Sequence, residues 1–383
     1  MKTTLLPLND PDLAQTDLEA VLGVLQSARV SQGGVVDQFE EEFARYIGRK
    51  HAVCVSSGTI GLLLILRAIG VGAGDEVIAS SYSFRETAHA ITLCGARPVF
   101  ADIDYWAGTL DPEKARKAIT EKTRAIVAGN TNGHPAPWGP LREIATAHNL
   151  ALIEDSTEAI GSIYQGKIVG SFGDCSLFDF SQPGGLISGE GAMIVTDNDD
   201  TATMLRRLRN RKIEERSSVV LGAWPPLQAG LSDIAAALGL AQLRRIELLL
   251  ARRKRVERYF LEYVRSFEGI KDPYIAPEVD QVHWFLYVVH LGTRFSRSSR
   301  DSIIDDLRQE NVEAAAFSSP LHLQRHYFDL GYRRGDLFVT EKVADRAVAL
   351  PFHAHLSEDQ VAFIVGTMKD ASINVGAGTA IYL

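Results

Sequence analysis

From about residue 35 to residue 250, strand-sized apolar runs alternate with amphipathic helical stretches, and this alternation constrains the fold more than any other feature. HAVCVSS, EVIAS, RPVFAD, TRAIVAG, ALIED, CSLFDF and AMIVT are each mostly apolar on both faces. Such strands need cover on both sides, which a mainly parallel sheet with helices on either face provides. Helical patterns over residues 60–69 and 112–118, and the turn at 72–75, separate several of them. The pattern predicts a doubly wound α/β domain. A long helical segment over 234–267 then leaves it. The strand-like HWFLYVVHL at 283–291, a helix over 300–310 and a closing helix from Ser357 predict a second, smaller α+β domain. The expected division is 1–250, including the N-terminal segment, and 251–383.

Composition narrows the function classes. A chain of 383 residues, 46% hydrophobic, is long enough for two domains. Its formal charge of -8 gives no reason to expect nucleic acid or an anionic membrane as partner, since such binding needs clustered cations. The basic stretches at 207–212 and 251–255 lie in helical patterns and read as solvated faces. Cys54, Cys94 and Cys175 sit in apolar runs without metal-ligand spacing, as reduced core residues of a cytosolic protein do. Asp and Pro interrupt the N-terminus before a signal-sized apolar segment forms, and no later run approaches the ~18 apolar residues of a membrane span. A cytoplasmic location is expected.

In a sheet of this kind ligands bind beyond the carboxyl ends of the strands. Ser56, Ser57, Gly58 and Thr59 follow the first strand and open a helix, offering N–H groups and a positive dipole end to an anion; the same residues serve equally as a helix cap. Asp155 ends the strand ALIED, where a carboxylate pairs with a cationic ring nitrogen or caps a turn. Phe84, past EVIAS, suits stacking on a planar ring or plain core packing.

Taken in order, VSSGT, GAGDEVIASSYSF, GARPVFADID, ALIEDSTEAIGSIYQGKIVGSFGD, GEGAMIVTD, DIAAALGLAQL, SSPLHLQRHY and LPFHAHLSEDQV resemble the DegT/DnrJ/StrS family of pyridoxal-phosphate-dependent sugar aminotransferases over almost the whole chain. The resemblance implies fold type I of the pyridoxal-phosphate enzymes, a homodimer with active sites at the subunit interface, and keto sugars attached to nucleotides as substrates. It places Asp155 at the pyridine nitrogen, Phe84 at the ring-stacking position, and Ser57, Gly58 and Thr59 on the phosphate-binding turn. Glu158 falls beside the cofactor's phenolic oxygen, where the family has Gln or His, and an ionised pair there would repel.

The departures gather in FDFSQPGGLISGEGA, residues 178–192. Counting back from GEG, Gly184 stands where the family has its cofactor lysine, and no lysine occurs between Lys167 and Lys212. Those two are the lysines nearest in sequence, and both read as exposed loop residues. Asp179 replaces a serine that binds the cofactor phosphate, and a carboxylate there opposes a phosphate dianion. Gln228 stands near the asparagine that the neighbouring subunit normally lends to the phosphate. The lysine's two jobs, holding the cofactor and shuttling a proton, need an amine, which glycine lacks.

Three readings follow. One is a repurposed enzyme binding pyridoxamine phosphate or an external aldimine non-covalently, with Ser181, Asp179 or Glu158 as base. Another is a non-catalytic paralogue serving as partner or scaffold for an active enzyme. The last is an enzyme that has discarded the cofactor and uses the emptied pocket, with Asp155, Glu158 and Asp179, for a sugar or other polar ligand. Three carboxylates could draw a divalent metal, but their spacing matches no known ligand pattern. Among the small-domain histidines, His322, His326 and His353, the resemblance places His322, in SSPLHLQRHY, where the family's corresponding block approaches the active site. It is a candidate substrate contact or a hydrogen-bonded structural residue.

Overall fold

The computed structural model describes residues 5–181, 184–210, 225–265, 270–271 and 273–380. Two helices, α1 (Gln15–Leu25) and α2 (Gly34–Ile47), precede the first strand, β1 (His51–Val55). Strand and helix then alternate: α3 (Gly58–Ala68), β2 (Glu76–Ser80), α4 (Arg85–Leu93), β3 (Arg97–Ala101), α5 (Pro112–Lys117), β4 (Thr123–Gly129), α6 (Trp138–Ala147) and β5 (Ala151–Asp155). A hairpin, β6 (Ile163–Tyr164) with β7 (Lys167–Ile168), leads to β8 (Cys175–Asp179), β9 (Ala192–Thr196) and α7 (Asp199–Arg209).

The main sheet has the order β1-β9-β8-β5-β4-β2-β3. Its neighbours are parallel from β8 through β3, and only β9, paired antiparallel on both sides, runs against the rest. The two-sided apolarity of the strands has the expected cause. Alternate residues of the central strands enter different cores: Ile78, Ile126 and Leu152 pack with Trp138 and Leu141 of α6, whereas Val77, Val127 and Ile153 pack with Leu62, Leu66 and Ile91 of α3 and α4. Each such side chain contributes about 1.5–3 kcal/mol on burial.

The expected single helix over 234–267 is two, α8 (Asp233–Arg244) and α9 (Ile246–Val264). The break falls at Arg245, whose backbone is non-helical (φ -116, ψ 19) and whose guanidinium reaches Asp12 and Asp17, each at 3.0 Å. Phe267 lies outside the described residues. α9 joins the two halves of the molecule: Leu249 and Leu250 pack with Phe39 and Phe43 of α2, while Val256 and Phe260 pack with Tyr287 and Phe352.

The remaining elements are β10 (Ile270–Lys271), β11 (Val279–Gln281), β12 (Tyr287–Leu291), α10 (Arg297–Gln309), β13 (Ala315–Ala316), α11 (Phe338–Ala344), β14 (Ala347–Leu350) and α12 (Glu358–Ala380). Four of these strands form an antiparallel sheet, β10-β12-β14-β13, and β11 pairs with the β6–β7 hairpin. The N-terminal segment bonds to both halves: Asp17 accepts from Gln242 Nε2 at 2.8 Å, while Leu6 and Leu8 bond to the second half. Leu6 N–H donates to Asn311 O at 2.9 Å, and Phe352 N–H donates to Leu8 O at 3.0 Å.

The basic stretches are only partly solvated. Arg207 and Arg255 are exposed, but Arg209 is buried against Glu40, donating to Cys54 O at 2.9 Å. Arg253 is buried too, donating to Trp284 O and Phe285 O at 2.9 and 2.7 Å, and burial pulls its pKa down to about 10. Arg211 and Lys212 lie outside the described residues. All three cysteines are free and buried. Among the described residues no helix is long and apolar enough to cross a membrane.

Candidate functional site

Because β1, β2, β5 and β8 run the same way, their carboxyl ends share one edge, and the residues just past them meet there. They wall a cavity of about 760 Å³ whose lining includes Ser57, Gly58 and Thr59 after β1, Phe84 after β2, Asp155 ending β5, and Asp179 ending β8. The other side is supplied by the small half of the molecule, through Phe285, Phe317, Ser318, Ser319 and Gln324. Phe84 caps α4 without a side-chain bond, is 39% exposed, and meets Phe285 edge-on at 6.0 Å. The two rings give the cavity an aromatic flank.

Asp155 accepts a hydrogen bond from Thr157 N–H at 3.1 Å, and burial raises its carboxyl pKa against that bond, with the charges of Asp179 and Glu154 adding to the rise. Its strand end is held by Glu154, which is fully buried. Glu154 accepts from Asn130 Nδ2, Ser156 Oγ and Ser176 Oγ and from the N–H groups of Gly170, Phe172 and Gly173, at 2.6 to 3.1 Å. A carboxylate so fully satisfied is a scaffold for its neighbours.

Glu158 lines a recess of about 40 Å³ beside Asp155, with Tyr82, Asn130 and Phe317. Burial pushes its pKa up to about 8; the backbone N–H of Asn132, donating to Oε2, works against this, and the Asp155 charge adds to it. Near neutral pH Glu158 therefore carries its proton, and in that form it is a neutral hydrogen-bonding group of glutamine's shape. Tyr82 is buried and its hydroxyl has no partner among the described residues.

Asp179 is the largest surprise of the site. Its Oδ2 accepts the N–H of Gly58 at 2.6 Å, at the first residue of α3, and its Oδ1 accepts Ser181 N–H at 2.8 Å and the Ser181 hydroxyl. Gly58 has no side chain to obstruct this, and a Cβ there would stand 2.8 Å from Asp179 Oδ2. Ser57 caps the same helix through Ile60 N–H at 3.3 Å.

Other predicted residues lie elsewhere. Gly184 does not line the cavity, though Ser181 and Glu190 on either side of it do. A Cβ on it would meet Leu186 O at 3.2 Å and Ser181 O at 3.4 Å. Gln228 is exposed and away from this chain's own cavity. His322 is wholly buried, with Nδ1 2.7 Å from Ser81 Oγ and Nε2 3.1 Å from Glu341 Oε1. With both ring nitrogens engaged it does not face the cavity as a substrate contact would; Gln324, two residues on, does. Lys167 is exposed on β7, outside the cavity lining, and Lys212 lies outside the described residues. Phe285, Phe317, Ser318 and Ser319 were not foreseen. Only the SSPLHLQRHY block, which begins at Ser318 and Ser319, pointed toward them.

A mainly parallel sheet with a second small domain, and a cavity at its carboxyl edge holding an aspartate at one strand end and a flanking aromatic, defines a fold type I aminotransferase. The chain belongs to the DegT/DnrJ/EryC1/StrS aminotransferase family, whose pattern matches residues 11–369. It is 35% identical to GDP-perosamine synthase from Caulobacter vibrioides, over 95% of this chain and 97% of that one. Two solved structures superpose on it with a TM-score of 0.89. One is DesV from S. venezuelae in complex with a ketimine intermediate, 30% identical, covering 97% of this chain and 99% of that one. The other is the putative sugar aminotransferase Spr1654 from Streptococcus pneumoniae in its PMP form, 26% identical, covering 96% and 99%.

Pyridoxal or pyridoxamine phosphate is the cofactor this family implies, and the site fits it at one end only. Asp155 and Phe84 suit a protonated pyridine ring. At the other end, the Gly58 N–H that an anion at the α3 terminus would use is already taken by Asp179.

Proposed function

We propose that this protein holds a sugar-type ligand, of the nucleotide-linked kind its family handles, in the cavity between its two halves, and that it does not carry out lysine-dependent amino transfer. The observation that carries this reading is the loop at 178–192: it has Gly184 at the lysine position, and no lysine occurs from 168 through 211. No lysine is among the described residues lining the cavity. The names of its relatives, GDP-perosamine synthase among them, support sugars as the ligand class. So do the hydroxyls of Ser83, Thr157, Ser181, Ser318 and Ser319 around an aromatic flank, since polyols are bound by such groups. Any pyridoxal-derived cofactor is held non-covalently on this reading, because no lysine is among the described residues that line the cavity.

The test is amino transfer from glutamate to nucleotide-linked keto sugars, run beside calorimetric titration of the same sugars. Binding without transfer supports the proposal, and turnover with glutamate contradicts it.

A second reading, pairing with another copy or with an active paralogue, has its own support. Leu18, Leu22 and Leu25 follow helical spacing along α1 and are 57%, 51% and 56% exposed. Light scattering of the purified protein distinguishes a dimer from a monomer, and co-purification of an aminotransferase marks the paired form.

A further inference from the structure

The N-terminus of α3 is an anion-binding terminus by construction: an eleven-residue helix, a glycine at its first position, and an N–H directed at the cavity wall. What fills it is part of the chain. Asp179 Oδ2 sits 2.6 Å from Gly58 N, and no ion pair joins Asp179 to any cation among the described residues. Its charge is met by the helix end and by Ser181 alone, through the backbone N–H at 2.8 Å and the hydroxyl. A carboxylate in this setting does for the helix what a bound phosphate would do.

The rest of the lining matches this polarity. Glu86, Asp155, Asp179 and Glu190 border the cavity, and Arg85, 3.2 Å from Glu86, is the only Lys or Arg among the described lining residues. An anionic group entering at α3 would displace Asp179 from its N–H donors and stand beside it, against like charge in a confined space.

We propose that Asp179 is a built-in anion that closes the phosphate slot, so that the cavity selects ring ligands carrying no phosphate at this end. The inference rests on the reading above only in taking the cavity as a ligand site; it holds whether or not a lysine from elsewhere enters.

Pyridoxamine 5′-phosphate and pyridoxamine differ only in the phosphate, and neither forms a Schiff base with a lysine. Titration of the wild-type chain with both, followed by ligand fluorescence, is expected to show no preference for the phosphorylated form. In Asp179→Ser the ratio of affinities shifts toward the phosphorylated form by at least ten-fold, and inorganic phosphate raises the melting temperature of that variant but not of wild type. Asp179→Asn keeps an acceptor for Gly58 N–H without the charge, and covers the case in which the serine variant does not fold; its shift is smaller and in the same direction. The proposal is overturned if wild type already prefers the phosphorylated ligand ten-fold or more, or if neither variant gains any response to phosphate. Loss of the sugar-binding reading would leave these ratios untouched, and so the two failures are separable.

Discussion

A Cβ added to Gly58 would stand 2.8 Å from Oδ2 of Asp179, closer than side chains approach one another in folded proteins. The carboxylate is held by two backbone N–H groups and a hydroxyl, so it cannot swing away without losing them. Gly58→Ala is therefore expected to destabilise the fold by about 1–2 kcal/mol through displacement of Asp179 from the Gly58 N–H at the start of α3, despite alanine's better helix propensity. Urea denaturation measures this. Gly23→Ala in α1, where a Cβ meets nothing within 4 Å, is the control and is expected to stabilise by about 0.5–1 kcal/mol.

Glu158 gives the site a pH signature. Its folded pKa, about 8, lies above the ordinary glutamate value of 4.5, so the unfolded chain releases this proton first as pH rises. The stability it lends is complete below pH ~4.5 and is lost progressively up to pH ~8, at roughly 1.4 kcal/mol per unit of pH at most. Glu158→Gln keeps the shape and removes the titration. The melting temperature of the variant relative to wild type is expected to climb between pH 5 and 8 and level off above. A difference independent of pH would show that Glu158 is ionised throughout.

His322 joins β2's end to α11 through Ser81 and Glu341 and touches no part of the cavity. Replacing it by alanine removes two buried side-chain hydrogen bonds and leaves a cavity, although His322 N–H still reaches Ser81 Oγ and Gly335 N–H still reaches Glu341 Oε1, at a cost of about 2–4 kcal/mol. Thermal denaturation is expected to show that loss, while the affinity of any cavity ligand measured below the new melting temperature stays within about two-fold of wild type. A ten-fold drop in affinity with an unchanged melting temperature would return His322 to the binding surface.

The part of this site that the sequence discloses is the part built by strand ends. Asp155, Phe84, Gly58 and Asp179 follow four separate apolar runs, and a parallel sheet brings such positions to one edge whatever the loops do. Phe285, Phe317 and Gln324 come from more than a hundred residues further on. Their placement depends on how the small half packs against the sheet, which no local period encodes. The same limit explains the break at Arg245 and the burial of Arg209 and Arg253. Arginine on an amphipathic helix is usually solvated, and these are buried because partners distant in sequence, Asp12, Glu40 and the Trp284 and Phe285 carbonyls, meet them. Asp179 was legible as an anion misplaced beside a phosphate turn. The structure adds that its Oδ2 accepts the Gly58 N–H at 2.6 Å.

Whether any lysine of this chain anchors a pyridoxal-type cofactor is directly measurable. The direct measurement is to incubate the purified chain with pyridoxal phosphate, reduce with borohydride, and map the labelled peptides by mass spectrometry alongside the absorption spectrum. The expected result is no internal-aldimine band and no lysine labelled in stoichiometric yield. A single lysine carrying one equivalent of reduced cofactor, Lys167 and Lys212 being the first to inspect, would contradict it.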